Sequence, residues 1–254
     1  MKKISLMKII LLNVVSSVLL LEPVTLLAKS YIDLSHEEEA QMPVDPALKL
    51  PEMKLFSQVN STGSKFNLEI ISFCPHTGTH MDAPFHVNPK GHSIEAWKED
   101  VLIGPAVVVS VGQPGNYEIT KDDIIKWESK YGEIKHNEGV LLNTGHSERW
   151  NLGYDGYIKK GYPTISIEAA KYLVAKKIRY VAVEAISPEK DSSDIHRIFM
   201  DCEIPVIENI CNLSSIRNQR VKTVGTFPAV RGGYWSLGKA FGRKNISILM
   251  FSQH

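Results

Sequence analysis

The stretch "SFCPHTGTHMDAPFH" (residues 72–86) places three histidines and an aspartate within eleven positions, among two prolines and a glycine. Whether it is helical or extended decides how the surrounding chain is read and what those side chains can do. On a helix, His76 and His80, four apart, would share a face. Pro75, the run Thr77-Gly78-Thr79 and Pro84 argue instead for a turn leaving a strand, because proline lacks a backbone donor and glycine accepts left-handed geometry. In such a turn Gly78 lets the chain fold back so that the two imidazoles converge. His80 and Asp82, two apart in an extended segment, then point to the same side. Two imidazole nitrogens and a carboxylate suit Zn²⁺ or Mn²⁺, and the second oxygen of Asp82 can bridge to another ion. The bland alternative is a polar turn whose histidines only hydrogen-bond. Four convergent candidates favour the metal. His86 lies just past Pro84, near enough to meet the cluster without having to bind.

A two-ion site needs more ligands. "SSDIHRIFMDCEIPVIENI" (192–210) offers His196 on a short helix-like piece and Glu208 on the strand that follows. A carboxylate inside an apolar run is costly to bury unless something positive compensates it. A metal does so at Glu208; a strand end facing water is the other reading. His92, His136 and His254 fit no ligand spacing and are read as surface polar residues.

Around these residues, strand-like and helix-like segments alternate. Residues 66–73, 105–111, 139–145, 180–186, 204–210 and 245–251 read as strands, rich in β-branched side chains. "TKDDIIKWESKYG" (120–132) reads as a helix, with Thr120 as its cap, Asp122 and Asp123 at its positive end and Gly132 at its stop. Ser166 can cap a second helix in "IEAAKYLVAKK" (167–177). The alternation predicts one mixed-sheet α/β domain over residues 29–254 with a fully buried central sheet. No shift in composition marks a second domain.

Hydrophobic residues make up 43% of the chain, charged residues 22%, and the formal net charge is +1. No basic stripe interleaves with aromatics, so nothing points to nucleic acid; a small, near-neutral substrate fits better. Lys2, Lys3 and Lys8 precede a thirteen-residue, mostly apolar run at 9–21, and Ala28 follows. That pattern predicts a signal peptide over residues 1–28 and an exported, periplasmic or secreted protein with no membrane span after processing. The run is short for a span. An uncleaved anchor, or a buried N-terminal helix in a cytoplasmic protein, is the alternative. Cys74, Cys202 and Cys211 form an odd set without a CxxC spacing, which reads as three buried thiols rather than a disulfide framework.

The run "HTGTHMDAPFH" (76–86) resembles the signature of the metal-dependent cyclase-like hydrolases, a superfamily that includes bacterial kynurenine formamidases and isatin hydrolases. "YIDLSH…MP" (31–43), "GHSIEAWKEDVLIGPAVVVSV" (91–111), "LLNTGHSERW" (141–150) and "VIENICNL" (206–213) resemble further family segments. The resemblance implies a swivelling β/β/α-type fold, assembled as a homodimer or larger. It implies hydrolysis of an amide or cyclic amide at a divalent metal, zinc or manganese, with two ions per chain. By position, His76, His80 and Asp82 would hold the first ion. Asp82, His196 and Glu208 would hold the second, with Asp82 bridging. His86 corresponds to the family's catalytic histidine.

Three departures stand out. Glu184 occupies a position where the family often has aspartate. His146 stands where "TG-SERW" often has an aromatic, and is read either as a substrate-binding residue or as a polar residue at a strand end. "VRGGYWSLGKAFG" (230–242) departs from the family's C-terminal run, which leaves substrate identity open and the metal ligands intact. The expected activity is cleavage of a C–N bond in an aryl formamide or cyclic amide by a metal-activated water. A lactone or isatin-type ring hydrolase and a metal-binding protein without turnover are the alternatives. A structural zinc site is normally closed by four protein ligands. Three candidates on one ion, with His86 spare, favour catalysis.

Overall fold

The computed structural model describes residues 31–60, 63–98, 100–227, 231–233, 235–237 and 239–243. The leader expected over 1–28, the strand expected over 245–251 and His254 lie outside them. In chain order the strands are β1 (Tyr31–Asp33), β2 (Glu52–Ser57), β3 (Leu68–Ser72), β4 (His80–Asp82), β5 (Gly104–Ser110), β6 (Glu118–Ile119) and β7 (Gly139–Asn143). There follow β8 (Thr164–Ile165), β9 (Tyr180–Val183), β10 (Val206–Glu208), β11 (Arg220–Thr226), β12 (Trp235–Leu237) and β13 (Lys239–Arg243). The α-helices are α1 (Lys121–Tyr131), α2 (Ile167–Ala175) and α3 (Asp194–Met200).

A curled nine-stranded sheet in the order β1-β13-β11-β5-β7-β9-β10-β4-β12 organises the chain. Its centre, β5-β7-β9-β10, is parallel. Parallel strands need both faces covered, and the two-residue period supplies apolar side chains to each. Val107, Val109, Val140, Leu142, Val181, Val183 and Val206 pack with Ile124, Trp127, Leu173 and Phe199 of the three helices. The residues between them, among them Val108, Leu141, Ala182 and Ile207, pack on the opposite face with Leu34, Ile94, Leu102, Leu213 and Ile216. Beyond β10 the chain switches direction: β4 pairs antiparallel with β10, and β12 with β4. The mixed α/β domain expected from the alternation is present. Among the described residues, no helix is long and apolar enough to cross a membrane.

Two expectations need correction. β3, read as part of the buried central sheet, pairs only with β2 in a separate two-stranded sheet. Its apolar side chains face outward, Ile70 at 54% exposure, and Leu55 and Phe56 on β2 are 63% and 69% exposed. Alternation and β-branching fit a strand to any pleated surface; they do not name its partner. Cys202, read as buried, is exposed in the turn that follows α3, whereas Cys211 is buried and Cys74 intermediate; all three are free thiols.

Both predicted helix caps form. The Thr120 hydroxyl accepts from the Asp123 amide at 3.2 Å, and the Asp123 carboxylate accepts from the Thr120 amide at 2.9 Å, closing a capping box. The Ser166 hydroxyl accepts from the Ala169 amide at 3.1 Å. Because α1 covers the helix side of the sheet through Ile124 and Trp127, its cap bears on the whole domain. Thr120→Ala is expected to lower unfolding stability by about 1 kcal/mol, read as a shifted urea midpoint at constant slope; an unchanged midpoint would count against this role for the cap.

Candidate metal centre

The β4–β10 register sets His80 opposite Glu208 and Asp82 opposite Val206. Val206 faces the helix layer, so by the two-residue period Glu208, His80 and Asp82 share that face. His76 arrives from the turn before β4, where Gly78 adopts φ +63°. A Cβ on Gly78 would displace the Glu38 carboxylate, 2.0 Å away, and it is the left-handed backbone that favours glycine at this turn. His86 ends the short 3₁₀ turn Pro84–His86. α3 lies over the same face and brings in His196. Of the six residues expected to form the centre, all six are brought together.

The distances describe a cage of donors. Nδ1 of His76 lies 3.1 Å from Nε2 of His80 and 3.1 Å from Oδ1 of Asp82. Nε2 of His80 is 3.2 Å from Oε2 of Glu208, and Nε2 of His196 is 3.1 Å from Oε1 of Glu208 and 3.5 Å from Oδ2 of Asp82. Both carboxylates therefore turn one oxygen toward His80 and the other toward His196, a role expected for Asp82 alone. Donor atoms of His76, His80, Asp82 and Glu208 lie within 4.8 Å of one another, as do those of Asp82, His86 and His196. The His86 ring lies 4.1 Å from that of His76 and 5.4 Å from that of His196.

Charge and burial fit a cation. Asp82 is fully buried, yet neither carboxylate oxygen makes a hydrogen bond of normal geometry among the described residues. Burial opposes its ionisation, but His76 and His80 outweigh that and hold the carboxyl well below its usual range. For Glu208, burial and Asp82 push upward, and His196 and His80 more than offset them. Burial opposes charge on His80, and Asp82 and Glu208 overcome it, raising the imidazole to about 9. His196 is raised well above the ordinary value despite burial, by Asp82, Glu189 and Glu208. His86 goes the other way, lowered chiefly by burial, and its neutral imidazole is the form that accepts a proton.

The outer nitrogens are committed to the protein. Nδ1–H of His80 donates to the Gly78 carbonyl at 3.0 Å, and Nδ1–H of His196 donates to Glu189 at 2.7 Å. Glu189 also accepts from the amides of Ile195 and His196 and from the Ser192 hydroxyl. These bonds outweigh its burial and hold it at about 2. Sequence reading missed Glu189. Its one signal was an acidic residue shortly before a helix start, a place where carboxylates meet free amides.

His146 is held inside the protein. It is fully buried; Nδ1 accepts from the Gly115 amide at 3.2 Å and Nε2–H donates to the Tyr157 carbonyl at 2.9 Å. Both ring nitrogens are thus spent within the protein. Glu184 has a comparable task. It is 1% exposed, and its carboxylate accepts from the amides of Thr144 and Gly145, each at 2.7 Å, and from the Ser147 hydroxyl at 2.6 Å. It ties the turn after β7 to the end of β9.

The family described as "Putative cyclase" matches residues 32–190, a stretch that holds His76, His80, Asp82 and His86 and ends before His196 and Glu208. An isatin hydrolase from Roseibium aggregatum is 30% identical over 155 residues, 54% of this chain and 58% of that protein. A kynurenine formamidase from Bacillus cereus is 27% identical over 148 residues, 57% of this chain and 65% of that protein. This chain thus spans less than two thirds of the length of either relative. Among solved structures, isatin hydrolase A from Labrenzia aggregata, bound to benzyl benzoate, superposes with a TM-score of 0.76 at 21% identity, covering 94% of this chain and 99% of that one. At that identity the likeness speaks for the fold. With its histidine motif inside the matched segment and its fold shared along nearly the whole chain, the protein belongs to the cyclase family.

Proposed function

We propose that this chain is a metal-dependent hydrolase that cleaves the C–N bond of an aryl formamide or a cyclic amide. The observation that carries the reading is the pair Asp82 and Glu208, each offering one oxygen to His80 and one to His196, with His86 beside them. The named activities of the isatin hydrolase and kynurenine formamidase relatives support the bond type. His76, His80 and Asp82 would hold one ion, and Asp82, His196 and Glu208 a second, zinc or manganese. When bound, a divalent cation supplies Lewis acidity there, acidifying water and polarising a carbonyl.

The side chains supply the rest. His86 takes a proton from the attacking water and returns it to the departing nitrogen. An amide nitrogen is too basic to leave unprotonated, so this second transfer matters more for a C–N bond than for an ester. Glu189 fixes the tautomer of His196 and keeps Nε2 turned inward. The cyclic-amide half of this reading is favoured by the isatin hydrolase relative at 30% identity; a lactone hydrolase is the second reading, since the same water can attack an ester carbonyl.

We extend the proposal to assembly as a homodimer or larger, with the β2–β3 hairpin as the contact. An isolated two-stranded sheet is marginal in water, yet this one exposes Met53, Leu55, Phe56, Leu68, Ile70 and Ile71. Their fractional exposures correspond to several hundred Å² of apolar surface per chain, divided between the two faces of the hairpin, since Met53 and Leu55 share a face with Ile71, and Leu68 and Ile70 lie on the other. A two-fold axis would set the hairpin of a second copy of this chain against the same patch on the first.

Three outcomes test these readings. His86→Ala is expected to keep its metal content while hydrolysis of N-formylkynurenine, isatin or a small lactone falls by about 10²–10⁴-fold. Undiminished turnover sinks the mechanism, and loss of one metal equivalent makes His86 a ligand. Glu189→Gln is expected to weaken metal affinity about 10- to 100-fold in competition with a chromophoric chelator; wild-type affinity would exclude the orienting role. Light scattering of the purified chain is expected to give at least a dimer, and Phe56→Asp combined with Ile70→Asp a monomer. A monomeric wild type at micromolar concentration overturns the assembly.

A further inference from the structure

Asn209 follows Glu208 directly, is 2% exposed, and has φ +55°. Asparagine tolerates that left-handed geometry better than most residues. Every polar group it owns is used, and two of them reach the opposing ligand segment. Its Nδ2 donates to the Gly78 carbonyl at 2.8 Å, and its own carbonyl accepts from the Thr79 hydroxyl at 2.6 Å. Its amide donates to the Ala185 carbonyl at 3.0 Å, and Oδ1 accepts from the Tyr157 hydroxyl at 2.9 Å. The single Tyr157 hydroxyl proton is shared between this oxygen and the main-chain carbonyl of Glu184.

We propose that Asn209 is a positioning residue: it clips the strand that carries Glu208 to the turn that carries His76 and His80, and thereby sets the span of the cation site. This rests on the metal reading given above. The β4–β10 ladder ends at Glu208↔His80 after three residue pairs, too short by itself to fix how the chain beyond it lies. Asn209 continues the contact onto Gly78 and Thr79, past the last ladder pair. The Gly78 carbonyl that takes its Nδ2–H also takes Nδ1–H of His80, so the amide stands one acceptor away from a candidate ligand. Thr79 adds a third segment, because its hydroxyl oxygen accepts from the His36 amide at 2.9 Å. Donor atoms sharing one cation must stay within a few tenths of an ångström of the productive geometry. A hinge left free between Glu208 and the turn relaxes that spacing even if every ligand is present.

Asn209→Gly isolates the side chain, because glycine keeps the left-handed backbone and the carbonyl that Thr79 donates to. Zinc affinity of the full chain, by competition with a chromophoric chelator, is expected to fall about 10- to 100-fold. The visible absorption of the cobalt(II)-loaded protein, which reports ligand geometry, is expected to shift. Thr120→Ala serves as the control: destabilised, with wild-type zinc affinity and cobalt spectrum. If Asn209→Gly does not fold, Tyr157→Phe removes the hydroxyl that holds the amide oxygen and is expected to weaken zinc several-fold. An Asn209→Gly chain with wild-type affinity and spectrum, or a folded Tyr157→Phe chain with wild-type affinity in its place, overturns this inference alone. A wild-type chain that takes up neither zinc, manganese nor cobalt overturns the metal reading and this inference with it.

Discussion

Asp82 and Glu208 are carboxylates buried on the same face of two paired strands, where each raises the cost of charge on the other. An uncompensated buried carboxylate costs several kcal/mol, and two together cost more. Positive or proton-bearing partners must therefore reach both from within the fold. The strand period delivers His80, because it stands two positions from Asp82 and directly across from Glu208. The left-handed Gly78 delivers His76 by reversing the chain one turn earlier. Neither group can serve the far oxygens, which must be met from another layer.

α3 meets that demand, and its own sequence explains how. Ile195 and Phe199, four apart, lie on one stripe and enter the hydrophobic layer with Val206. His196 is one position round the helix from Ile195, which turns it toward the end of β10 rather than into the core. The apolar anchor and the polar ligand are thus neighbours on one short helix. Burying Ile195 and Phe199 fixes where His196 stands, and Glu189, bonded to the first amides of the same helix, fixes how its ring is turned. Packing and chemistry share one element, so a core substitution here would reach the site.

Much of this was legible because it is local. The spacing of His76, His80 and Asp82, the turn residues among them, and the caps Thr120 and Ser166 are all contained in short windows of sequence. Glu208 was visible for a different reason: a charged residue inside an apolar strand demands a partner. His196 was weaker: a histidine on a short helix-like piece before that strand, with its nearness in sequence to Glu208 as the main signal and its place in a ligand set given by the family resemblance. What could not be read was pairing across long separations. Nothing in "HMD" says that β4 lies between β10 and β12, and nothing in "LEIIS" says that β3 leaves the central sheet. Glu189, Asn209 and the burial of His146 depend on such long-range placement, so their roles appear only once the strands are in order.

The two sides of the cluster are also built differently. His80 gives its outer N–H to a main-chain carbonyl that is already shared with the Asn209 amide. His196 gives its outer N–H to a full carboxylate. A charged acceptor pulls more strongly on the proton than a neutral, doubly engaged one, and so leaves more electron density on the inward nitrogen. Nε2 of His196 is therefore the more electron-rich of the two. On the His80 side, the weaker donor is compensated by number, since His76 stands 3.1 Å away and faces the same Asp82 oxygen. One half gathers more nitrogen donors, and the other makes a single nitrogen stronger. The two carboxylates that span both halves are what allow such unlike sides to form a single site.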